Sequence, residues 1–229
     1  GSKQKFGIGG PTVTPTFAII DPELTLGLPP MLTAATGMDA LTHLIEAYVS
    51  TKQAPALDPM ILHGIDLLGR SLRVAVAQGG NRAAREEVML AAMLGGIAIS
   101  SRWLGACHAL AHPLSAVANV PHGLANAIML PHQMAYSLPG ALEQYARIGQ
   151  ALDPSLPARL TTRQRAKAAV KAVRRLLNDC GLPECLGDVG VNDEQIPVLA
   201  SYAIKDLNWT TNPRRVDQDV LESLYRAAF

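Results

Sequence analysis

After Leu28-Pro-Pro30 apolar residues recur at helical intervals almost without a break; before it they do not. Leu41, Leu44, Ile45 and Tyr48 fall at i, i+3, i+4 and i+7, which places them on one face and predicts a helix over Leu32 to Val49. A second is expected over Leu57 to Gln78, with Asp58 as its cap, Pro59 as its first residue and Gly79-Gly80 as its stop. Asn81 should cap a third that runs to about Arg102. Val88 to Ile99 is apolar on every side, the mark of a central helix, and Gly95-Gly96 within it points to a neighbouring backbone at close range. A fourth helix carries His108 and His112, and a fifth runs from near Pro121 to about Tyr136. Amphipathic helices follow at Ala141 to Ala151, Thr161 to Cys180, Asp193 to Lys205 and Asp217 to Ala228, opened by Pro139-Gly140, Thr161-Thr162, Asn192-Asp193 and Asp217. The basic residues Arg163, Arg165, Lys167, Lys171, Arg174 and Arg175 are spread around one polar helix surface and read as a solvated face.

The first residues read differently. Phe17-Ala-Ile-Ile20, closed by Asp21-Pro22, has the look of one buried strand. A lone strand cannot satisfy its own backbone groups, so it needs partners from Phe6 to Ile8 and Thr12 to Thr14, or from residues outside this chain. Gly7-Ile-Gly9-Gly10 neither follows a strand nor opens a helix, so it reads as a connector and not as a phosphate loop. Gly1-Ser2 resembles a cloning remnant, and the chain as a whole reads as a fragment that opens inside a larger protein.

Composition narrows the class. With 48% hydrophobic and 17% charged residues in 229, the chain has enough apolar material for one sizeable core and too little charge for disorder. Twenty basic residues against 19 acidic ones leave a net charge of +1, which argues against nucleic acid as a partner. No apolar run reaches the ~18 residues that would span a membrane, and no stretch reads as a signal peptide. Cys107, Cys180 and Cys185 have no framework spacing and fit reduced thiols in a cytoplasmic protein; Cys180 and Cys185 have no further cysteine or histidine nearby to make a zinc knuckle.

Gly105 to His122 holds half of the six histidines. His108 and His112 share one helix face, and His122, just past Pro121, can approach them from another direction. Asp39 and His43 are also four apart, on a helix that is otherwise apolar, where a carboxylate is costly to bury unless something pairs with it. Together these residues form a nitrogen and oxygen set suited to zinc or ferrous iron. Spacing alone leaves open which of His108, His112 and His122 are ligands and favours the i, i+4 pair. His63 and His132 lack such partners and read as structural.

These residues also carry a resemblance. Gly37-Met-Asp-Ala-Leu-Thr-His-Leu-Ile-Glu-Ala-Tyr48, Cys107-His-Ala-Leu-Ala-His-Pro-Leu-Ser-Ala116 and Pro121-His-Gly-Leu-Ala-Asn-Ala127 resemble the signature regions of the iron-containing (group III) alcohol dehydrogenases. Asp21-Pro-Glu-Leu-Thr25 and Asn212-Pro-Arg214 resemble that family's domain junction and C-terminal segment, so the likeness runs from about Pro15 to the end. The resemblance implies an all-α fold, a dehydroquinate synthase-like helical bundle over residues 29-229. Residues 1-28, with their short strand, would be what remains of a preceding α/β dinucleotide-binding domain. It implies Fe2+ or Zn2+ on Asp39, His43, His108 and His122, with His112 released from the metal to a catalytic place beside the nicotinamide. It further implies NAD(P) bound mainly by the upstream domain, a small alcohol or aldehyde as substrate, and a homo-oligomer. The metal would polarise the alcohol or carbonyl oxygen for hydride transfer, and the fragment alone would be inactive. A maleylacetate-reductase-type enzyme of the same architecture and a non-catalytic metal-binding helical domain are the alternatives.

Overall fold

The computed structural model describes Lys5 and residues 15–229. The Gly7 to Gly10 connector and the Phe6 to Ile8 and Thr12 to Thr14 pieces lie outside the described residues. From Pro30 onward the chain is a helical bundle: α1 (Pro30–Val49), α2 (Asp58–Ala77), α3 (Arg82–Arg102), α4 (Ala106–Ala118), α5 (His122–Ser137), α6 (Leu142–Leu152), α7 (Thr162–Asp179), α8 (Ile196–Ala203) and α9 (Gln218–Ala227). Each matches an expected helix to within a few residues, and the start signals act as read at three of them. Asn81 accepts from the Ala84 amide, Thr161 and Gln164 form a reciprocal capping box, and Asp217 accepts from the Val220 amide.

Three expectations are corrected. Phe17 to Ile20 is not a buried strand: no strand is assigned to it, and Phe17 and Ile19 are 87% and 91% exposed. Among the described residues it meets no second strand to complete its hydrogen bonds, and an extended segment without one gains nothing from pairing. Asp58 does not cap α2; it is the first helical residue, and its carboxylate is taken by the Arg102 guanidinium at 2.5 Å. Finally, α1 and not α3 is the central helix. It packs on α2, α3 and α5, with Met38, Leu41, Leu44 and Ile45 wholly buried. The buried face of α3 is mostly small, Ala84, Ala91, Gly95 and Ala98 with Leu94 among them, and two of its large apolar residues, Leu90 and Ile97, are turned outward. A Cβ on Gly95 would stand 3.4 Å from the Ala40 carbonyl oxygen and 3.3 Å from the His43 Cβ, so the close approach expected of that glycine is real; Gly96 faces open space.

The segment before α1 is tied to the bundle. Pro22–Thr25 forms a single 3-10 turn capped by Asp21, and Glu23 pairs with Arg82. Buried Arg85 donates to the Leu28 and Gly79 carbonyls and to the Thr33 hydroxyl. On α7 the residues Arg163, Lys167, Lys171, Arg174 and Arg175 are exposed, as a solvated face requires, while Arg165 of the same set is half-buried. His63 is exposed on α2, whereas burial and the nearby Arg174 push the His132 pKa down to about 4, so it is a neutral packing residue. Among the described residues no single helix is long and apolar enough to cross a membrane.

Two short connections set the directions of α4 and α5. Trp103 ends α3 with φ 64°, and three residues later α4 sets off at a steep angle to it. Asn119, in the left-handed region at φ 57°, ends α4, and Val120 and Pro121 reverse the chain so that α5 starts on His122. The half-turn of α5 that carries His122 therefore faces back toward α1.

Candidate metal centre

The side chains of Asp39 and His43 stand one turn apart on α1, His108 on the first turn of α4, and His122 at the first position of α5. What brings the last of these to α1 is a glycine. Gly123 packs so closely that a Cβ there would be 2.5 Å from the Ala35 carbonyl oxygen. All three imidazoles present Nε2 to one oxygen: Asp39 Oδ1 is 3.7 Å from His43, 3.5 Å from His108 and 3.7 Å from His122. A tetrahedral metal with bonds of about 2.1 Å sets its ligand atoms about 3.4 Å apart, so these separations suit one divalent ion. Asp39, His43 and His108 form the tight group, with ligand atoms all within 4.8 Å of one another; His122 joins it through the Asp39 oxygen.

Charge and burial favour the same use. Burial pushes the Asp39 pKa up, but the hydrogen bond and the fields of His108, His43 and His122 outweigh it and hold the carboxyl well below its ordinary range. Burial, helped by neighbouring His108, lowers the His43 pKa to about 4; burial also lowers His122 to about 4, against the pull of Asp39. Both therefore keep a free lone pair at neutral pH. His108 goes the other way: burial opposes its charge, yet Glu46 and Asp39 raise it to about 9. Asp39, His43 and His122 keep 19%, 23% and 27% of their side chains exposed, while His108 is sealed in, so the group opens to one side.

Glu46, two turns beyond Asp39 on α1, is buried and serves two partners. Its Oε2 is 2.6 Å from His108 Nδ1, and its Oε1 accepts the Cys107 amide at 2.6 Å. The first contact fixes a His108 proton on Nδ1, so Nε2, which faces Asp39, is the nitrogen that would give up its proton to coordinate an ion. The second satisfies an amide in the first turn of α4, which Gly105 cannot cap because it has no side chain. A Cβ at that position would come within 2.7 Å of Glu46 Oε1 and push the carboxylate off its two partners. Replacing Glu46 with Gln keeps the shape and removes the charge; metal affinity is expected to fall about 10- to 100-fold, read by competition with a chelator.

His112 is brought near the group but held elsewhere. It has no ion-pair contact with Asp39; its Nδ1 lies 2.5 Å from Asp206 Oδ2, and its ring stacks on His122 at 5.3 Å between centroids. Asp206 is fixed in turn by the Asn208 amide, and although burial raises its pKa, the bond to His112 brings it below the usual range. The pairing of His108 with His112 that spacing favours is thus not the arrangement found. Asn126, one turn after His122, completes the cluster by donating to Asp39 at 2.6 Å. Glu46, Asp206 and Asn126 are not singled out by the sequence. Glu46 shares the Asp39 face of α1 and Asn126 shares a face with His122, so helical spacing offers a hint for these two; nothing local marks Asp206.

A family model described as the Fe-containing alcohol dehydrogenase family, C-terminal, matches residues 33–229. The 1,3-propanediol dehydrogenase of Klebsiella pneumoniae is 41% identical over 228 residues, covering 100% of this chain and 59% of that protein. The NADPH-dependent butanol dehydrogenase of Clostridium saccharobutylicum is 34% identical, covering 98% of this chain and 58% of its own length. Among solved structures, a 1,3-propanediol oxidoreductase superposes with a TM-score of 0.89 at 42% identity, over 91% of this chain and 55% of that one. A maleylacetate reductase from Rhizobium superposes at 0.84 with 25% identity, over 97% of this chain and 59% of that one. The chain thus spans under two thirds of the length of each of these proteins.

Proposed function

Since the chain belongs to the Fe-containing alcohol dehydrogenase family, we propose that it is the metal-binding part of an NAD(P)-dependent alcohol dehydrogenase acting on a small alcohol or aldehyde. Residues 29-229 form the catalytic bundle in this reading, and the nicotinamide is held mainly by sequence that the relatives carry beyond this chain. The observation that carries the reading is the meeting of three imidazole Nε2 atoms on the Asp39 oxygen at separations suited to one ion.

Asp39, His43, His108 and His122 would hold Fe2+ or Zn2+, both of which accept such donors. When bound, the metal supplies Lewis acidity at the substrate oxygen. The chain's own residues do the rest. Asp39 supplies the negative charge that offsets a dication, and Glu46 holds the His108 Nδ1 proton so that Nε2 is the nitrogen turned to the ion. The partly exposed side of Asp39, His43 and His122 leaves an approach for substrate, while the sealed His108 side keeps water out. His112, steadied at Nδ1 by Asp206, has its other nitrogen available to orient the substrate or to pass its proton toward solvent.

The roles separate by mutation. In the complete enzyme, His112→Ala should retain its metal by elemental analysis and lose about 100-fold or more in turnover followed by NAD(P)H absorbance, the range of a lost acid-base group. Loss of metal in that variant would return His112 to the ligands. Full metal with no turnover of any alcohol in the unaltered complete protein would favour a non-catalytic domain. A maleylacetate-reductase activity is the weaker reading, resting on lower identity.

A further inference from the structure

Asn126 is wholly buried, and its carboxamide head sits among the candidate ligands. Its Nδ2 is 2.6 Å from Asp39 Oδ1 and 3.2 Å from the Nε2 atoms of both His108 and His122. The orientation is dictated by the neighbours. An ionised carboxylate only accepts, so the NH2 end faces Asp39; at the other end Oδ1 accepts the Cys107 thiol at 3.6 Å. An amide NH2 offers two hydrogens and, with its electron pair drawn into the carbonyl, none to a metal.

The three atoms that Nδ2 contacts are atoms a cation in this centre needs. Hydrogens bearing partial positive charge and a dication cannot hold the same lone pairs. We propose that Asn126 is a built-in competitor for the metal. Its amide satisfies Asp39 and one flanking imidazole until a cation takes those lone pairs, and loading requires the carboxamide to swing off them. Asn126 is then a positioning residue that keeps the ligands gathered and sets how tightly and how fast the centre fills. The proposal rests on the reading of Asp39, His108 and His122 as ligands.

The test uses the full chain, stripped with a chelator and titrated with Zn2+ against a chromophoric competitor, with melting temperatures taken before and after loading. Two variants are compared with the unaltered protein: Asn126→Ala, which removes the donor, and Asn126→Leu, which removes it while nearly keeping the volume. Stripped of metal, both should melt below the unaltered protein, because Asp39 has lost its donor. Both should bind Zn2+ about tenfold more tightly or better, the scale of a lost hydrogen bond to a charged group, and load faster. Unchanged or weaker Zn2+ affinity in either folded variant overturns the proposal and makes Asn126 a support of the loaded centre. Asp39→Ala in the same assay separates the two readings. If it binds Zn2+ as the unaltered protein does, the ligand reading itself has failed; if it loses Zn2+ while the Asn126 variants do not tighten, only the competitor proposal has.

Discussion

Asp39→Ala should leave the purified protein with little or no metal. Asp39 Oδ1 lies within 3.7 Å of all three imidazole Nε2 atoms, so removing it takes away both a donor and the point on which the others converge. It is also the only carboxylate in the tight group. Glu46 is engaged by His108 Nδ1 and the Cys107 amide, on the far side of the His108 ring, and cannot replace it. Three neutral imidazoles would then face a dication without a compensating charge in a partly buried place. The affinity loss should exceed the roughly 100-fold that marks the upper end for losing an outer partner. Elemental analysis and chelator competition read it directly. Asp39→Asn, nearly the same in shape, should be almost as empty, since the charge is what it lacks. Full metal in the Ala variant would count against the whole assignment.

Gly123→Ala should both destabilise the bundle and loosen the centre. The new Cβ would lie 2.5 Å from the Ala35 oxygen and 2.8 Å from the Ala35 carbon. These are backbone atoms inside α1 and have no rotamer to escape into, so the first turn of α5 must retreat and carry His122 away from Asp39. Overpacking of this kind costs about 1–3 kcal/mol, more than the roughly 1 kcal/mol that Ala gains over Gly inside a helix. The denaturant midpoint should fall with an unchanged slope, and metal affinity should fall with it. Gly96→Ala is the matched control, because its Cβ meets nothing within 4 Å; it should be neutral or slightly stabilising. Equal stability of the two variants would mean that the seam between α1 and α5 yields more easily than its geometry implies.

Local sequence carries most of the helices and little of the wiring between them. Asn81, Thr161 and Asp217 are legible as caps because a cap and the amide it serves are three residues apart. Asp58 looks the same, but its partner Arg102 lies 44 residues away and takes the carboxylate from the helix end. The apolar girth of α3 does not say which side is covered; that depends on where its small residues meet α1. Asp39 and His43 are visible as a pair because i, i+4 spacing is a property of a single helix, but the same spacing pairs His108 with His112, which the fold separates onto Glu46 and Asp206. Glu46, Asn126 and Asp206 are not visible, because their partners His108, Asp39 and His112 are 62, 87 and 94 residues distant. Phe17 to Ile20 defeats a local reading for a related reason: an apolar run has no fixed shape until its neighbours are known.

Glu46 links the order of synthesis to the birth of the centre. The first turn of α4 borrows its cap from α1, and the same carboxylate fixes the ring of His108. A nascent chain that has emerged only through α3 holds Asp39 and His43 but neither of the residues that must face them. Once α4 arrives, its docking against Glu46 and the aiming of His108 are a single event, and His122 arrives one helix later. The four candidate ligands are therefore gathered only by tertiary closure, because no element before α4 carries His108 or His122.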